Sequence, residues 1–460
     1  MESAAITPNP QDATSASLIQ VFLDEFASED IDYCVLRGYE HLPYTLGHDI
    51  DILLSPLCIG RAIAIIRAAA ERQGWLHVGT ARRYGYSGIH LFKNDAHLQI
   101  DLLTECHWRG IAYAKTSQVL QAKTNFRDYR VASHGCESAI TLMKELLPWG
   151  EVKRKDNARD RLQQCAKTDS EGFLLCLKPC LGDQMSRRVL EWTINGHWGE
   201  IEASVSSIRR AMVRHSSFPN PVRRFLAFLQ SAWGPIQHRI RRPFGCFVVI
   251  LGPDGSGKTT VANEAISYWN KEFHKEPLYI HGDFAVLPRL RILRRIWAML
   301  IGRKLPTDPD YTLKHSGAQA VPHSLGKSLC YVAYYYWGYL IGHFRMFLAR
   351  GQDRLIVADR YFYDYFFQRG NMNLPHWLLR VLSRFIPRPD LVVLLEADPQ
   401  VIYDRKNELT VEEIRRQQSI IRKMAEWLPN VLRVRSDIGV DTTVRECRKA
   451  IFSALAKRHR

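Results

Sequence analysis

The sequence of 460 residues predicts an α/β protein with an α+β domain, a helical connecting segment that packs on that domain or bridges to the next, and a doubly wound parallel sheet. Three observations predict this fold class. Apolar runs alternate with helical stretches from residue 246 onwards, shorter strand-like runs mix with helices over 18–130, and strand signals are scarce over 136–240. We therefore expect a disordered tail at 1–17, the α+β domain at 18–135, the helical segment at 136–242 and the parallel sheet at 243–460.

The composition excludes a disordered chain and indicates a basic surface. Apolar residues make up 46% of the chain, and the net charge of +16 favours acidic partners such as nucleotides, nucleic acid, anionic glycans or a membrane face. The ten cysteines include no C-x-x-C pair, and the polar N-terminus lacks the apolar core of a signal peptide. We therefore expect a cytoplasmic protein. The sequence does not decide the oligomeric state, and a dimer is compatible with it.

The C-terminal part contains five candidate strands, at residues 246–251, 278–281, 355–358, 391–395 and 431–434. Several are unbroken runs of β-branched residues or leucine, which is typical of parallel strands buried on both faces. Asp398 followed by Pro399 is a favoured helix start, and Thr410 with Glu413 fits a capping box for a helix that runs to about Leu428. This alternation predicts the doubly wound sheet.

A glycine-rich loop follows the first of these strands. Residues 252–259 read GPDGSGKT and match the Walker A pattern G-x-x-x-x-G-K-[ST] in full, between an apolar strand and a helical stretch. Glycines let backbone N–H groups point at phosphates, Lys258 should reach the β- and γ-phosphates, and the Thr259 hydroxyl should bind Mg²⁺. The sequence therefore predicts an ATP site formed by Gly252, Asp254, Gly255, Ser256, Gly257, Lys258, Thr259 and Thr260.

Two further elements place charged residues near this loop. The strand at 355–358 is followed by Asp359 and Arg360, at the edge where ligands bind in open α/β sheets. Asp359 is expected to hold metal-bound water and Arg360 to bind an anionic acceptor, with a surface Asp–Arg pair as the alternative. Arg405 follows the fourth strand and its helix, where it could act as a cationic lid over the transferring phosphoryl group. A solvated helix end is the alternative for Arg405.

Together these segments resemble the thymidylate kinase family of P-loop kinases. The resemblance rests on GPDGSGKTT at 252–260, ADRYFYD at 358–364 and PDLVVLLEADPQVIYDRKNE at 389–408, and it covers residues 245–460. It implies a kinase that transfers the γ-phosphoryl group of MgATP to a nucleoside monophosphate such as dTMP. On this resemblance Lys258 and Thr259 bind the ATP phosphates. The resemblance also makes Asp359 and Arg360 the acid and the acceptor-phosphate arginine, and Arg405 the lid arginine.

The chain departs from that family around the acceptor. Residues 279–284 read YIHGDF where the family has a Phe-Pro-Arg motif, and a long insertion covers roughly 285–327. A sugar or glycan hydroxyl is therefore the alternative acceptor. Since a hydroxyl gains from a carboxylate that takes its proton, Asp283 is a candidate catalytic base, with an ordinary loop carboxylate as the alternative.

The N-terminal domain contains a second pattern of acids. Asp49 and Asp51 alternate on one predicted strand, so their carboxylates share a face, and Asp101 lies on a later strand. This pattern resembles the nucleotidyltransferase fold. Three such acids could hold two Mg²⁺ ions for nucleotidyl transfer, with a solvated strand end as the alternative for the first two. Gly38 is followed by Tyr39, where that family usually has Ser or Gly, and this departure counts against activity.

Two basic stretches, 221–242 and 288–304, mix arginine with tryptophan, leucine and isoleucine. Each could lie on an anionic membrane or a glycan, so peripheral membrane contact is an option, but a helix packed on its domain with an exposed basic face is favoured. Nucleic acid is the least favoured partner because no known nucleic-acid module is visible. The apolar run at 328–342 is too short to cross a bilayer and predicts a buried helix.

Three functional hypotheses follow from these patterns. The first is a kinase that uses ATP and Mg²⁺ on a small nucleotide or sugar acceptor, and the second adds nucleotidyl transfer by the N-terminal domain. The third is a non-catalytic ATP-binding regulator or scaffold. Lys258, Thr259, Asp359 and Arg405 are all present, whereas a degenerate site usually loses at least one of them. The sequence therefore favours the kinase.

Overall fold

The computed structural model describes residues 10–40, 42, 49–152, 158–217, 221–241, 244–281, 324–368 and 373–459. Apart from the last two residues, the chain divides into two compact units, Met1–Arg242 and Pro243–Arg458. The sequence-based boundary between the helical segment and the parallel sheet lies between the same two residues.

A mixed seven-stranded sheet organises the first unit. Its strand order is β3-β4-β5-β2-β1-β9-β8, and two parallel pairs, β2 with β5 and β1 with β9, interrupt an otherwise antiparallel arrangement. The sheet strands are β1 (Tyr33–Val35), β2 (Asp49–Leu54), β3 (Leu76–Arg83), β4 (Tyr86–Lys93), β5 (Ala96–Leu103), β8 (Thr124–Phe126) and β9 (Tyr129–Val131). A separate antiparallel hairpin is formed by β6 (Cys106–Trp108) and β7 (Ile111–Ala114).

Three helices accompany these strands: α1 (Pro10–Ser28), α2 (Ile59–Arg72) and α3 (Thr116–Gln121). The start of α1 corrects the expected disordered tail, because residues 10–17 are helical. Because this first part of α1 is polar, its sequence does not predict a helix. The apolar residues that anchor α1 in the core lie further along the helix, at Leu18, Phe22 and Phe26.

The rest of the first unit is helical across the described residues from 134 to 241. Its helices are α4 (His134–Trp149), α5 (Ala158–Thr168), α6 (Ser170–Leu181), α7 (Asp183–Asn195), α8 (Trp198–Ala203), α9 (Val205–Ser217) and α10 (Pro221–Arg241). Cys34 and Leu53 of the sheet share one buried cluster with Leu142 of α4 and Leu177 of α6. The helical segment therefore completes the core of the sheet, and the two form one unit.

The second unit contains a five-stranded sheet in which every neighbouring pair is parallel. Its strands are β10 (Cys246–Leu251), β11 (Leu278–His281), β12 (Leu355–Asp359), β13 (Leu391–Glu396) and β14 (Val431–Arg435), in the order β11-β12-β10-β13-β14. All six residues of β10 are buried, as the continuous apolar run predicts for a central parallel strand. The prediction of a parallel sheet is confirmed.

Helices connect these strands. They are α11 (Lys258–Phe273), α12 (Leu325–Gly351), a short 3₁₀ helix (Phe362–Phe366), α13 (His376–Leu382), α14 (Pro399–Arg405), α15 (Val411–Met424) and α16 (Val440–His459). The two predicted helix starts are confirmed: the Asp398 side chain accepts from the Gln400 amide at 2.8 Å, and the Thr410 hydroxyl accepts from the Glu413 amide at 3.3 Å.

Two helices differ from the sequence-based expectation in what they expose. No helix in the described part of the chain is both long enough and apolar enough to cross a membrane. The apolar run at 328–342 was expected to form a buried helix. Instead, α12 has an exposed face on which Trp337 and Phe344 are 62% and 68% exposed, so the prediction is wrong for this face. On α10 large apolar side chains are exposed, which the favoured packed helix does not predict. The stretch 288–304 lies outside the described residues.

Candidate functional site

The glycine-rich loop joins the end of β10 to the start of α11. Gly255 and Gly257 have φ values of +90° and +91°, a region that other residues adopt only with strain. A Cβ atom on Gly255 would lie 3.1 Å from the Ile402 carbonyl oxygen and 3.1 Å from Lys406 Cβ. The loop therefore needs glycine both for its backbone shape and for close contact with the end of α14.

Lys258 is the first residue of α11, and its side chain folds back over the loop. Its Nζ donates to the carbonyl oxygens of Gly252 and Pro253, each at 2.9 Å, and to Asp254 Oδ1 at 3.1 Å. The residue is only 7% exposed. Three oxygen partners hold the ammonium group in one place, beside the backbone that the sequence predicts to bind phosphate.

Asp359 ends β12, directly beside β10, with Ile250 as its partner in the parallel register. Its Oδ2 accepts from the Thr259 hydroxyl and from the Tyr279 hydroxyl, both at 3.1 Å. Its Oδ1 is buried and has no hydrogen-bond partner among the described residues. A buried carboxylate oxygen without a partner is costly, and it is what a site for a cation or an ordered water requires.

These groups suit Mg²⁺. Magnesium prefers hard oxygen ligands and keeps several waters, so one hydroxyl and one carboxylate are a sufficient protein contribution. Thr259 and Asp359 supply such a pair, and the unpaired Asp359 Oδ1 leaves a lone-pair position open. The predicted metal ligands of the second unit are thus brought together.

Arg360 and Asp254 form a contact that the sequence does not predict. Arg360 Nη2 donates to Asp254 Oδ1 and Oδ2, both at 2.9 Å, and Arg360 has a left-handed φ of +65°. Asp254 also contacts Lys258, so one carboxylate joins both cations. Burial opposes ionisation of Asp254, but the charges of Lys258 and Arg360 outweigh it and lower the pKa of its carboxyl group.

Asp364 is a buried acid near this site that sequence reasoning missed. It lies in the 3₁₀ helix after Arg360, and it is 8% exposed. Burial raises the pKa of its carboxyl group to about 7, while the charges of Lys258 and Arg360 partly oppose that increase. The sequence feature that could have indicated a buried acid is the single aspartate among aromatic residues in the run RYFYDYFF at 360–367.

The other predicted site residues of the second unit have no contact with Lys258 or Asp359 among the described contacts. Arg405 is exposed at the end of α14, and its guanidinium donates to the Ser436 carbonyl oxygen at 3.2 Å. Ser256 is buried, and its hydroxyl has no partner among the described residues, while Thr260 is exposed. Asp283 lies outside the described residues.

In the first unit the three predicted acids come together. Asp51 of β2 faces Asp101 of β5 in a parallel register, and Asp49 lies two residues earlier on the same face of β2. Each of the three offers a ligand oxygen, and these atoms lie within 4.8 Å of one another. The spacing of the acids on the strands produces this convergence.

Two cations already neutralise part of that cluster. Arg37 Nε contacts Asp51 Oδ2 at 2.6 Å, and Lys144 Nζ of α4 contacts the same oxygen at 3.2 Å. Burial opposes ionisation of Asp51, but the charges of Lys144 and Arg37 are stronger, and they lower its pKa. A metal ion would have to compete with both cations for Asp51.

Asp101 forms no ion pair with a cation in the part of the chain that the structure describes, and its pKa changes in the opposite direction. Burial raises the pKa of its carboxyl group to about 6, although hydrogen bonds from Gln99 and Tyr86 oppose the increase. The Tyr86 hydroxyl and the Gln99 amide both donate to Asp101 Oδ1, at 2.8 and 2.9 Å. A divalent cation beside Asp101 would favour its ionised form.

Tyr39 occupies a core position. Gly38 has a φ of +69°, and the next side chain is buried, with the Tyr39 hydroxyl donating to Glu137 Oε2 at 3.0 Å. Arg161 Nε donates to the other Glu137 oxygen at 2.7 Å. His134, Glu137 and Cys165 place ligand atoms within 4.8 Å of one another, but these contacts already use Glu137. Tyr39 is thus part of the packing against α4.

Comparison of the chain with protein-family models finds no match, and comparison with curated proteins finds none either. A fold class alone does not imply an activity. What the protein does depends on the chemistry of its two candidate sites, the glycine-rich loop of the second unit and the acid cluster of the first.

Proposed function

We propose that the second unit is a P-loop kinase that transfers the γ-phosphoryl group of MgATP to a small acceptor. One observation carries the proposal: a complete Walker A loop, between a buried parallel strand and a helix, whose Thr259 hydroxyl contacts the carboxylate of Asp359 at 3.1 Å. Phosphoryl transfer depends mainly on positioning and on neutralising charge, and this loop provides groups of both kinds.

Each residue of the loop then has a definite role. The backbone N–H groups of 254–258, after Pro253, and the N-terminal end of α11 bind the phosphates, and Lys258 neutralises the β- and γ-phosphoryl oxygens. Thr259 and Asp359 would hold Mg²⁺, which supplies charge neutralisation at those oxygens. Arg360 binds the anionic part of the acceptor once its contact with Asp254 is broken. Arg405 is proposed to reach the site only after a movement of the exposed end of α14.

The acceptor has two chemical alternatives. A nucleoside monophosphate such as dTMP is the acceptor that the resemblance implies, and a sugar or glycan hydroxyl is the other. A feature of Asp364 supports the second: a buried carboxyl group whose pKa is raised to about 7, among the charges of Lys258 and Arg360, suits removal of a hydroxyl proton near neutral pH. A phosphate acceptor would need no such base.

The decisive experiment measures ATP turnover by the full chain with Mg²⁺ and a panel of acceptors: dTMP, other nucleoside monophosphates, neutral sugars and acidic sugars. Lys258→Ala should lower kcat by about a thousandfold or more, because it removes a charge that stabilises the transferring group. Lys271→Ala is the matched control, since Lys271 is an exposed lysine of the same helix and should keep wild-type turnover.

The outcomes separate the hypotheses. Turnover of Lys258→Ala close to that of the wild type, with unchanged thermal unfolding, would contradict the P-loop proposal. ATP binding by the wild type with no transfer to any acceptor would favour the non-catalytic regulator or scaffold. Transfer to dTMP would identify a nucleotide kinase, and transfer to a sugar alone would identify a hydroxyl kinase.

Nucleotidyl transfer by the first unit is a second candidate function. The convergence of Asp49, Asp51 and Asp101 favours it, since carboxylates at this spacing suit Mg²⁺. The ion pairs of Asp51 with Arg37 and Lys144 count against it, because they must be broken or shared for metal to bind. This activity therefore ranks below the kinase.

A further inference from the structure

Helix α10 of the first unit exposes a continuous apolar stripe. Most of its exposed large apolar residues recur at spacings of three and four, which places them within about 100° of the helix circumference. These residues are Val222, Phe225, Leu226, Leu229, Trp233, Ile236 and Ile240, and Phe228 is exposed to one side of them. Trp233 is 59% exposed and Phe225 is 62% exposed, so the stripe is uncovered at its largest side chains.

The opposite face of α10 packs against the rest of the first unit. Ala227 and His238 are buried there, and a Cβ on Gly110 would lie 2.6 Å from the carbonyl of Ala227. At Gly234 a Cβ would lie 3.4 Å from Arg83 Cα of β3. These close contacts fix the rotation of the helix about its axis. The apolar stripe therefore faces away from the core of its unit and does not continue it.

The charge of α10 is entirely positive. From 221 to 241 the sequence contains four arginines and no aspartate or glutamate, with two arginines near each end, at 223, 224, 239 and 241. An apolar stripe that includes tryptophan and phenylalanine, together with arginines and no acid, is the composition of helices that lie in the interface of anionic bilayers. Arginines near such a surface are attracted by acidic headgroups.

We propose that α10 docks the first unit onto the surface of a bilayer that contains anionic phospholipids. The helix lies parallel to the surface, with its stripe between the headgroups and the acyl chains, and the net positive charge of its sequence is attracted to the phosphates. Charge complementarity favours an anionic membrane, since a helix that has arginines and no acidic residue repels a basic protein surface. The proposal does not depend on the kinase, because it rests on residues of the first unit alone.

The test is co-sedimentation of the full-length protein with vesicles of phosphatidylcholine, with or without phosphatidylserine. We expect the wild type to bind the anionic vesicles, and Trp233→Glu to weaken that binding by about tenfold or more. Gln230→Glu is the matched control, because it adds the same charge to an exposed position of the same helix without removing an apolar side chain from the stripe. Trp233→Phe should retain binding.

Three results would overturn the proposal. The first is equal weakening by Trp233→Glu and Gln230→Glu, which would leave no role for the apolar stripe. The second is failure of the wild type to bind anionic vesicles at low salt. The third is a wild-type dimer that Trp233→Glu converts to a monomer in the absence of vesicle binding, because the stripe would then join two copies of the chain. Thermal unfolding of each variant, compared with the wild type, shows that a loss of binding is not a loss of fold.

Discussion

At the residue scale, the glycine-rich loop places one carboxylate between two cations. Asp254 contacts both Lys258 and Arg360, the two groups proposed to face the donor and the acceptor. Phosphate binding would have to exchange these ion pairs for contacts with the ligand. The loop is therefore held in shape by the same charges that would bind the ligand, so binding has to break contacts that stabilise the loop without ligand.

Asp364 leads to a prediction about pH. Its folded-state pKa of about 7 lies above the ordinary value of 3.8, so the folded protein holds the proton more tightly than the unfolded chain. Its contribution to the free energy of unfolding is therefore greatest at low pH and falls as pH rises from about 4 to about 7, by at most about 1.4 kcal/mol per pH unit. Asp364→Asn should remove this dependence.

Urea unfolding of the wild type and Asp364→Asn, at about pH 5 and about pH 8, measures the effect. The stability of the wild type relative to the variant should be lower at the higher pH. A difference between the two proteins that does not change with pH would show that Asp364 is ionised throughout this range in the folded protein.

The positions of single residues were predictable where a motif fixes the backbone. The Walker A pattern predicted that Lys258 and Thr259 lie where the loop meets the helix, and Thr259 contacts Asp359 there. The alternation of Asp49 and Asp51 predicted that they share a face of one strand, and the register places Asp51 beside Asp101. Asp364 was missed because its altered pKa depends on burial by residues from other elements, which no local pattern encodes. The contact of Arg360 with Asp254 also depends on how β12 and the loop lie in space.

At the scale of single elements, α15 is defined by its N-terminal cap. The Thr410 hydroxyl accepts from the Glu413 amide, and Glu413 itself is buried and contacts Arg416 at 2.6 Å. Arg416 also donates to the Phe367 carbonyl oxygen at 2.6 Å, just after the 3₁₀ helix that contains Asp364. The first turn of α15 thus supports the backbone next to the candidate site.

Removal of the cap should therefore cost stability. Thr410→Ala is expected to lower the free energy of unfolding by about 1 kcal/mol, because one amide of the first turn loses its acceptor. Thr410→Ser keeps a hydroxyl in the same position and should stay within a few tenths of a kcal/mol of the wild type. Chemical denaturation of both variants tests this, and equal loss in the two would mean that the threonine methyl group matters more than the cap.

Elements were predictable to the extent that their own sequence is periodic. Unbroken apolar runs identified the strands of the parallel sheet, because both faces of such strands are buried. The first turns of α1 were missed, since PQDATSAS is polar and carries no apolar period. For α10 the helix was evident, but which face packs depends on Gly110 and Gly234, whose close approach only the structure reveals.

At the scale of the whole molecule, each unit has its own cluster of candidate site residues. The hydrogen bonds of the Lys258, Thr259 and Asp359 side chains described above are to partners from the second unit, and the Asp51 carboxylate pairs with Arg37 and Lys144 of the first. The sequence-based boundary separates the same two units, whereas the helical segment proved inseparable from its sheet because both contribute to one core. Periodicity identifies helices but does not show which core they complete.

Independent chemistry in the two units is therefore expected. The double variant Asp49→Asn and Asp51→Asn should keep ATP-dependent phosphoryl transfer within about twofold of the wild type, since none of the groups proposed to bind MgATP changes. Any nucleotidyl transfer should be lost, because the ligands for two metal ions are removed. Both activities are to be measured on one preparation, and a loss of kinase activity of about tenfold would mean that the two activities share a site.

The position of β10 in its sheet also has a consequence for biosynthesis. This strand lies between β12 and β13, yet it is the first of the five to be synthesised. Its partners, beginning at Leu355 and Leu391, follow only after a long stretch of chain, and parallel pairing over such separations is slow. Until then the uncharged run CFVVIL is an unpaired strand of the kind that associates with other chains. The strand that leads into the glycine-rich loop is thus also the strand of this sheet that stays unpaired for the longest stretch of synthesis before its neighbours are made.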